Sequence, residues 1–230
     1  MKNQSTSRFI TRSAVTLCMS AALGCSALLP NALQTPGFHS LDSVASTPHA
    51  VAAPNAAAPT LLVSSPHAAS GFDSRHMIYV RTAHKLEYFA RNEWIDTPAR
   101  MLAPLLATSL TRSGSFRAVV LMPSMAAGDI NLDTEIVRLQ QEFDTPGSAG
   151  RPSHVRFTLN ATLLDSTTRR VIVSREFESR VAAPSNDPAG GVVAANQAVQ
   201  IVLDQVSEFC AEAVRSWKLA ASSKSSGIDG

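Results

Sequence analysis

The 230-residue chain is sparing with the residues that carry chemistry. It has three cysteines, two tryptophans, two tyrosines and six scattered histidines, and only 17% of its residues are charged. The cysteines cannot build a disulfide framework, which needs several at regular spacing. The histidines form no HExxH or other metal-ligand spacing. There is no phosphate-binding loop, no dinucleotide fingerprint and no Gly-x-Ser-x-Gly elbow. Gly190-Gly191 precedes a helical pattern, but without a preceding strand or a nearby lysine it reads as a helix-start loop. No apolar run reaches the roughly 18 residues that a membrane-spanning helix needs. Paired acids, bases and nucleophiles are lacking too, so the expectation is a protein that is not an enzyme.

Charge of one sign is missing as well. The formal charge is +2, but Lys2, Arg8 and Arg12 lie in a leader-like segment; without them 17 basic residues face 18 acidic ones. A near-neutral chain lacks the clustered Lys and Arg that nucleic-acid binding requires.

What is present begins with residues 1–24, a basic start followed by the apolar Ala14–Leu23, of signal-peptide length. It ends in Ala22-Leu23-Gly24-Cys25. The small Gly24 admits a peptidase, and the Cys25 thiol can take a diacylglycerol. The segment reads either as a lipoprotein signal or as an ordinary cleaved one with an incidental cysteine; Cys18, preceded by Leu17, is a poorer lipidation site. From Ala45 to Pro59 the chain is Ala- and Pro-rich without periodicity, a tether. Gly37–Leu41 reads equally as a short strand or as part of that tether.

The centre of the chain is Gly71 to Val120. Met77–Arg81 is a short apolar strand, and Lys85–Trp94 is a second extended piece containing Leu86, Tyr88 and Phe89. Asp96-Thr97-Pro98 is a helix start, followed by Leu102, Leu105, Leu106 and Leu110 at helical spacing and stopped at Ser113-Gly114. Pro104 falls inside this helix, where it predicts either a kink or a separate first turn. Thr60–Val63 and Phe116–Met122 are further strands. Asp129–Asp144 fits a helix stripe (Leu132, Ile136, Leu139, Phe143) and a strand face (Val137, Leu139, Gln141, Phe143) equally well.

Val155, Phe157, Leu159, Ala161 and Leu163 alternate with polar residues, and Val171, Val173, Phe177 and Val181 continue after a turn at Asp165–Arg170, so the two form a hairpin with one wet face. Arg175 interrupts the apolar face, which predicts that this end reaches solvent. The last helix is read from about Val192 to Trp217, with Ala195, Val199, Val202, Val206, Phe209, Ala213 and Trp217 on one side. The Ser- and Gly-rich stretch 220–230 reads as a disordered tail. Cys210 on that helix, beside Phe209, reads as core packing.

The segments MIYVR, LEYFARNEWIDTPARML and SGSFRAVV resemble the auxiliary lipoprotein component of ABC-type transport systems, and the resemblance extends from about Cys25 to Trp217. It favours a strand with a bulge at Ile136-Val137 in the ambiguous segment, and an aromatic-x-x-Leu strand opening the domain at 37–41. It also favours acylation of Cys25 by diacylglycerol and an N-acyl (palmitate) chain. The fold expected is one α/β domain over 60–219, with a mixed or antiparallel sheet and two main helices packed on one face, tethered through residues 25–59. The implied function is non-enzymatic: a lipoprotein on the periplasmic face of the outer membrane that docks a mammalian-cell-entry-type lipid-carrying protein, beside an ABC permease and ATPase. Residues that could form a partner or lipid surface are Tyr79, Arg81, Tyr88, Arg91 and Trp94, with Arg100 a further candidate cation; core packing and ordinary surface charge are their plainer roles. A homo-oligomer is compatible with this reading. The rivals are an envelope-assembly lipoprotein and a lipoprotein that holds an apolar ligand in its own pocket, which a filled core would oppose.

Overall fold

A computed structural model describes residues 35–42, 56–143 and 151–225, with side chains as far as Trp217. The leader, Cys25 and most of the Ala/Pro-rich stretch fall outside these residues. The elements are β1 (Gly37–His39), β2 (Thr60–Val63), β3 (His67–Ala68), β4 (His76–Thr82), β5 (Lys85–Trp94), α1 (Pro98–Arg112), β6 (Ala118–Leu121), β7 (Ile130–Glu142), β8 (His154–Asp165), β9 (Val171–Ala182) and α2 (Pro188–Ser225). They form one mixed sheet of nine strands with two helices packed against it, the α/β architecture expected.

The ambiguous segment is β7, the strand about which the sheet is built. One of its edges pairs antiparallel with β8 along its whole length. Its other edge is shared by three short parallel partners: β2 at Ile130–Leu132, β3 at Glu135–Ile136 and β4 at Gln141–Glu142. Ile130, Leu132 and Ile136 are buried, then the register shifts between Ile136 and Arg138, and Leu139 and Gln141 are buried instead. The extra residue, Val137, switches which parity faces the core, as a bulge does. That switch is why the sequence fits two patterns.

Both helices lie over the face that carries Val155, Phe157, Leu159, Ala161 and Leu163, and they touch each other where Ser109 Oγ meets Ser207 Oγ at 2.8 Å. Helix α1 starts at Pro98 as its Thr-Pro signal predicts, although the Thr97 side chain makes no capping bond. Pro104 sits inside one continuous helix on its exposed side, so the first turn is not separate.

Three boundaries differ from the sequence reading. The folded unit opens at β1, not at Thr60: Gly37–His39 pairs parallel with Asn92–Trp94 at the end of β5. Leu41 then enters the core, and Asn196 of α2 bonds both the Asp42 N–H (2.9 Å) and the Ser40 carbonyl (3.1 Å). A strand of three residues exists only through such long-range partners, so of the two readings left open for Gly37–Leu41 the strand is the one that forms. Helix α2 begins at Pro188 rather than Val192. Asp187 Oδ1 accepts from the Gly190 N–H at 2.7 Å, so Asp187-Pro188 is the same kind of start signal as Thr97-Pro98, hidden by the two glycines that follow. The helix also runs to Ser225, through the first part of the stretch read as a tail.

Candidate functional site

The apolar pocket among Met77, Phe89, Trp94, Leu139, Val155 and Ala195 amounts to about 20 Å³, room for little more than one water-sized molecule. Among the described residues no three His, Cys, Asp or Glu side chains converge as a metal site, and no helix is long and apolar enough to cross a membrane. Cys210 is fully buried, and burial pushes its thiol up to about 12, far from the thiolate a nucleophile needs.

The five residues proposed as a surface separate into three environments. Trp94 is 4% exposed and belongs to the core. Tyr79 pairs with buried Gln141, so it lies on the helix side of the sheet. Its ring lies tilted by 40° against Phe89 (4.5 Å) and meets Phe143 edge-on (5.9 Å), and the Arg81 guanidinium lies 4.8 Å from the Tyr79 ring centre and 5.5 Å from that of Phe143. Tyr88 lies on the opposite, open face, 58% exposed and stacked on His76 at 4.4 Å. Arg91 is exposed on β5, and Arg100 is exposed on α1 with Asp96 3.7 Å away. Arg175 was expected at the solvent end of the hairpin, and it is exposed. Its guanidinium closes over the core, 4.8 Å from the Phe209 ring and 5.9 Å from Phe177.

The open face of β7, β8 and β9 carries a polar cluster that single-strand patterns do not disclose. Register sets Glu142 beside His154, Gln140 beside Arg156 and Arg180, and Arg138 beside Thr158 and Glu178. Glu142 accepts from Gln140 Nε2 (2.6 Å), His154 Nε2 (2.9 Å) and Arg180 Nη2 (3.0 Å), with Arg156 at 3.8 Å. Glu178 accepts from Arg156 Nε at 2.8 Å and Thr158 Oγ1 at 3.2 Å, with Arg138 and Arg180 each at 3.9 Å. Burial raises the Glu142 carboxyl, but the Gln140 and His154 hydrogen bonds and the Arg180 charge outweigh it, holding it below its ordinary value. The Arg156 hydrogen bond lowers Glu178 likewise. Carboxylates held by several donors are fixed in place, which suits binding and orientation. The same face bears two concavities, of about 300 and 490 Å³. The larger is walled by Phe72, Val80 and Leu86 on one side and by Arg138, Gln140 and Arg156 on the other.

The sequence profile of the ABC-type transport auxiliary lipoprotein components matches residues 39–207. The chain belongs to this family. No curated protein sequence matches it. Among solved structures, this auxiliary component is similar to a Xanthomonas campestris protein of the DUF330 family, with a TM-score of 0.64 and 24% identity over 72% of this chain and 93% of that one. It is also similar to an uncharacterised protein, with a TM-score of 0.57 and 11% identity over 77% and 99%. At these identities the likeness shows a shared fold. Membership in the family makes this an auxiliary lipoprotein of ABC-type transport in the cell envelope. The match opens at His39, in β1, which agrees with a folded unit that starts before Thr60.

Proposed function

We propose that this auxiliary component is the non-enzymatic, outer-membrane-tethered partner of a mammalian-cell-entry-type lipid transport system. It docks the periplasmic lipid-carrying protein, which works beside an ABC permease and ATPase. Cys25, carrying diacylglycerol and an N-acyl chain, is the anchor on the periplasmic face; acyl chains in that number hold firmly where a single one is marginal. The observation that carries the reading is the family match over residues 39–207, from the end of β1 into α2. The apolar pocket among Met77, Phe89 and Trp94 supports a docking role over a carrier role, since its 20 Å³ takes no acyl chain.

The test is affinity capture of the tagged full-length protein from detergent-solubilised envelopes, beside the Cys25→Ala variant, with partners read by mass spectrometry. Recovery of a mammalian-cell-entry-type protein with its permease and ATPase is expected, and the variant should leave the membrane fraction. Partners consisting of outer-membrane assembly factors, with no transporter subunit, would replace this reading with an envelope-assembly role. Co-purified lipid retained by the non-acylated variant would favour an apolar-ligand carrier.

A further inference from the structure

Four of the large apolar residues that stay exposed belong to β1, β5 and the residue after it: Phe38 (56%), Leu86 (50%), Tyr88 (58%) and Ile95 (60%). Phe38, Leu86 and Tyr88 form a stripe on the open face. Phe38 is opposite Glu93 in the β1–β5 pairing, and Glu93 is opposite His76 in the β5–β4 pairing. Residues opposite one another share a face of the sheet, and His76 stacks on Tyr88. Leu86 continues the stripe into the groove walled by Phe72 and Val80. Arg75 lies over the Phe38 ring at 5.4 Å and 3.7 Å from Glu93, and Lys85 sits at the other end, 3.1 Å from Glu87. Exposed rings and aliphatic side chains with flanking cations are the composition of a surface that rests in a headgroup layer.

Chain order makes β1, at one end of this stripe, the first strand after Cys25 among the described residues. If the domain opened at Thr60, the 34 residues after Cys25 could span roughly 110–120 Å at full extension. With β1 in the sheet, only eleven residues separate Cys25 from Gly37, a reach of at most roughly 40 Å. They arrive at β1 itself, on the edge of the sheet beside β5.

We infer that the stripe of Phe38, Leu86 and Tyr88 on the β1–β5 edge rests on the phospholipid surface that holds the anchor. This inference depends on acylation of Cys25 under the function proposed above. It orients the domain. The β1–β5 end of the open face lies against the bilayer, and the β8–β9 end of the sheet, beyond β7, is turned away from it toward the periplasm.

The experiment uses the full acylated chain in vesicles of phosphatidylethanolamine and phosphatidylglycerol. A fluorophore is placed through Phe38→Cys or Leu86→Cys, and through Val171→Cys or Ile201→Cys as exposed reference positions away from the stripe. All four side chains are solvent-exposed, so the fold tolerates the label, and Cys210 is buried and does not compete. Quenchers carried on the lipid acyl chains should remove most of the emission at positions 38 and 86 and leave 171 and 201 unchanged. Flotation of the protein with the vesicles, together with unquenched emission at 38 and 86, would overturn the orientation alone. Failure to float, with no palmitate incorporated, would remove the anchor reading and this inference with it.

Discussion

The side-chain oxygen of Gln141 occupies the position that a β-carbon on Gly191 would need. Gln141 cannot yield freely, because its amide donates to Ser153 Oγ at 2.8 Å and to the Asp187 carbonyl at 3.3 Å, and it is 4% exposed. The glycine pair that resembles a phosphate-binding turn is therefore a packing solution. It lets β7 press against the first turn of α2.

Gly191→Ala sets two effects against each other. Alanine favours a helix by at most about 1 kcal/mol, whereas forcing a buried, bonded side chain aside costs about 1–3 kcal/mol. Net destabilisation in urea melts is expected. In a Gln141→Ala background the same change should be neutral or stabilising, and persistence of the full penalty there would show that the clash lies elsewhere.

Trp94 and Tyr88 should behave as opposites. Trp94→Ala empties core space and should cost about 3–5 kcal/mol, while Tyr88→Ser on the open face should alter stability by about 0.5 kcal/mol or less. Denaturant midpoints decide this. Equal losses would mean that Tyr88 is held as tightly as the core.

Acid sensitivity should track Glu142. Its carboxyl sits below the ordinary value of 4.5 in the folded state, so the folded state binds the proton more weakly than the unfolded chain does. The resulting stabilisation is present in full above pH 4.5 and is lost as pH falls through the lowered folded value. Thermal melts from pH 6 downward should show a smaller acid loss for Glu142→Gln than for the parent. Identical slopes would assign the acid loss to other carboxylates, such as Glu178 or Asp165, which are lowered as well.

Cys210 should resist thiol reagents. In a protein lacking both Cys18 and Cys25, buried Cys210, with its thiol at about 12, should react with iodoacetamide only once denaturant opens the fold. Rapid modification of the native protein would show that α2 separates from the sheet under native conditions.

Much of the architecture was legible. The hairpin of β8 and β9 follows from strict alternation, and α1 from Thr97-Pro98 with its leucine stripe. Every residue assigned to the apolar side of α2 between Ala195 and Ala213 is buried. The features that local pattern left open, among them the strands at 37–41 and 129–144 that the family resemblance favoured, depend on distant partners. β1 is a strand because Asn92–Trp94 lies beside it, and β7 reads ambiguously because Val137 changes its parity. The cluster around Glu142 and Glu178 draws on three strands whose register no single segment encodes. The candidate surface was legible as composition only: Tyr79, Tyr88 and Trp94 look alike in sequence, yet the sheet sends one to each face and one inward.

The sharing of one β7 edge by three short strands bears on how the chain folds. β2 finds β7 across about seventy residues of chain, since Leu61 is opposite Ile130, whereas β8 and β9 meet through a turn of a few residues. Loop closure makes the near pairing the cheaper one. A β7–β8–β9 meander should therefore form early and serve as the template on which β2, β3 and β4 are laid down. Conservative substitutions at Leu159 should then slow refolding, and those at Leu61 should mainly speed unfolding. The reverse pattern in stopped-flow measurements would place the nucleus in the parallel half of the sheet.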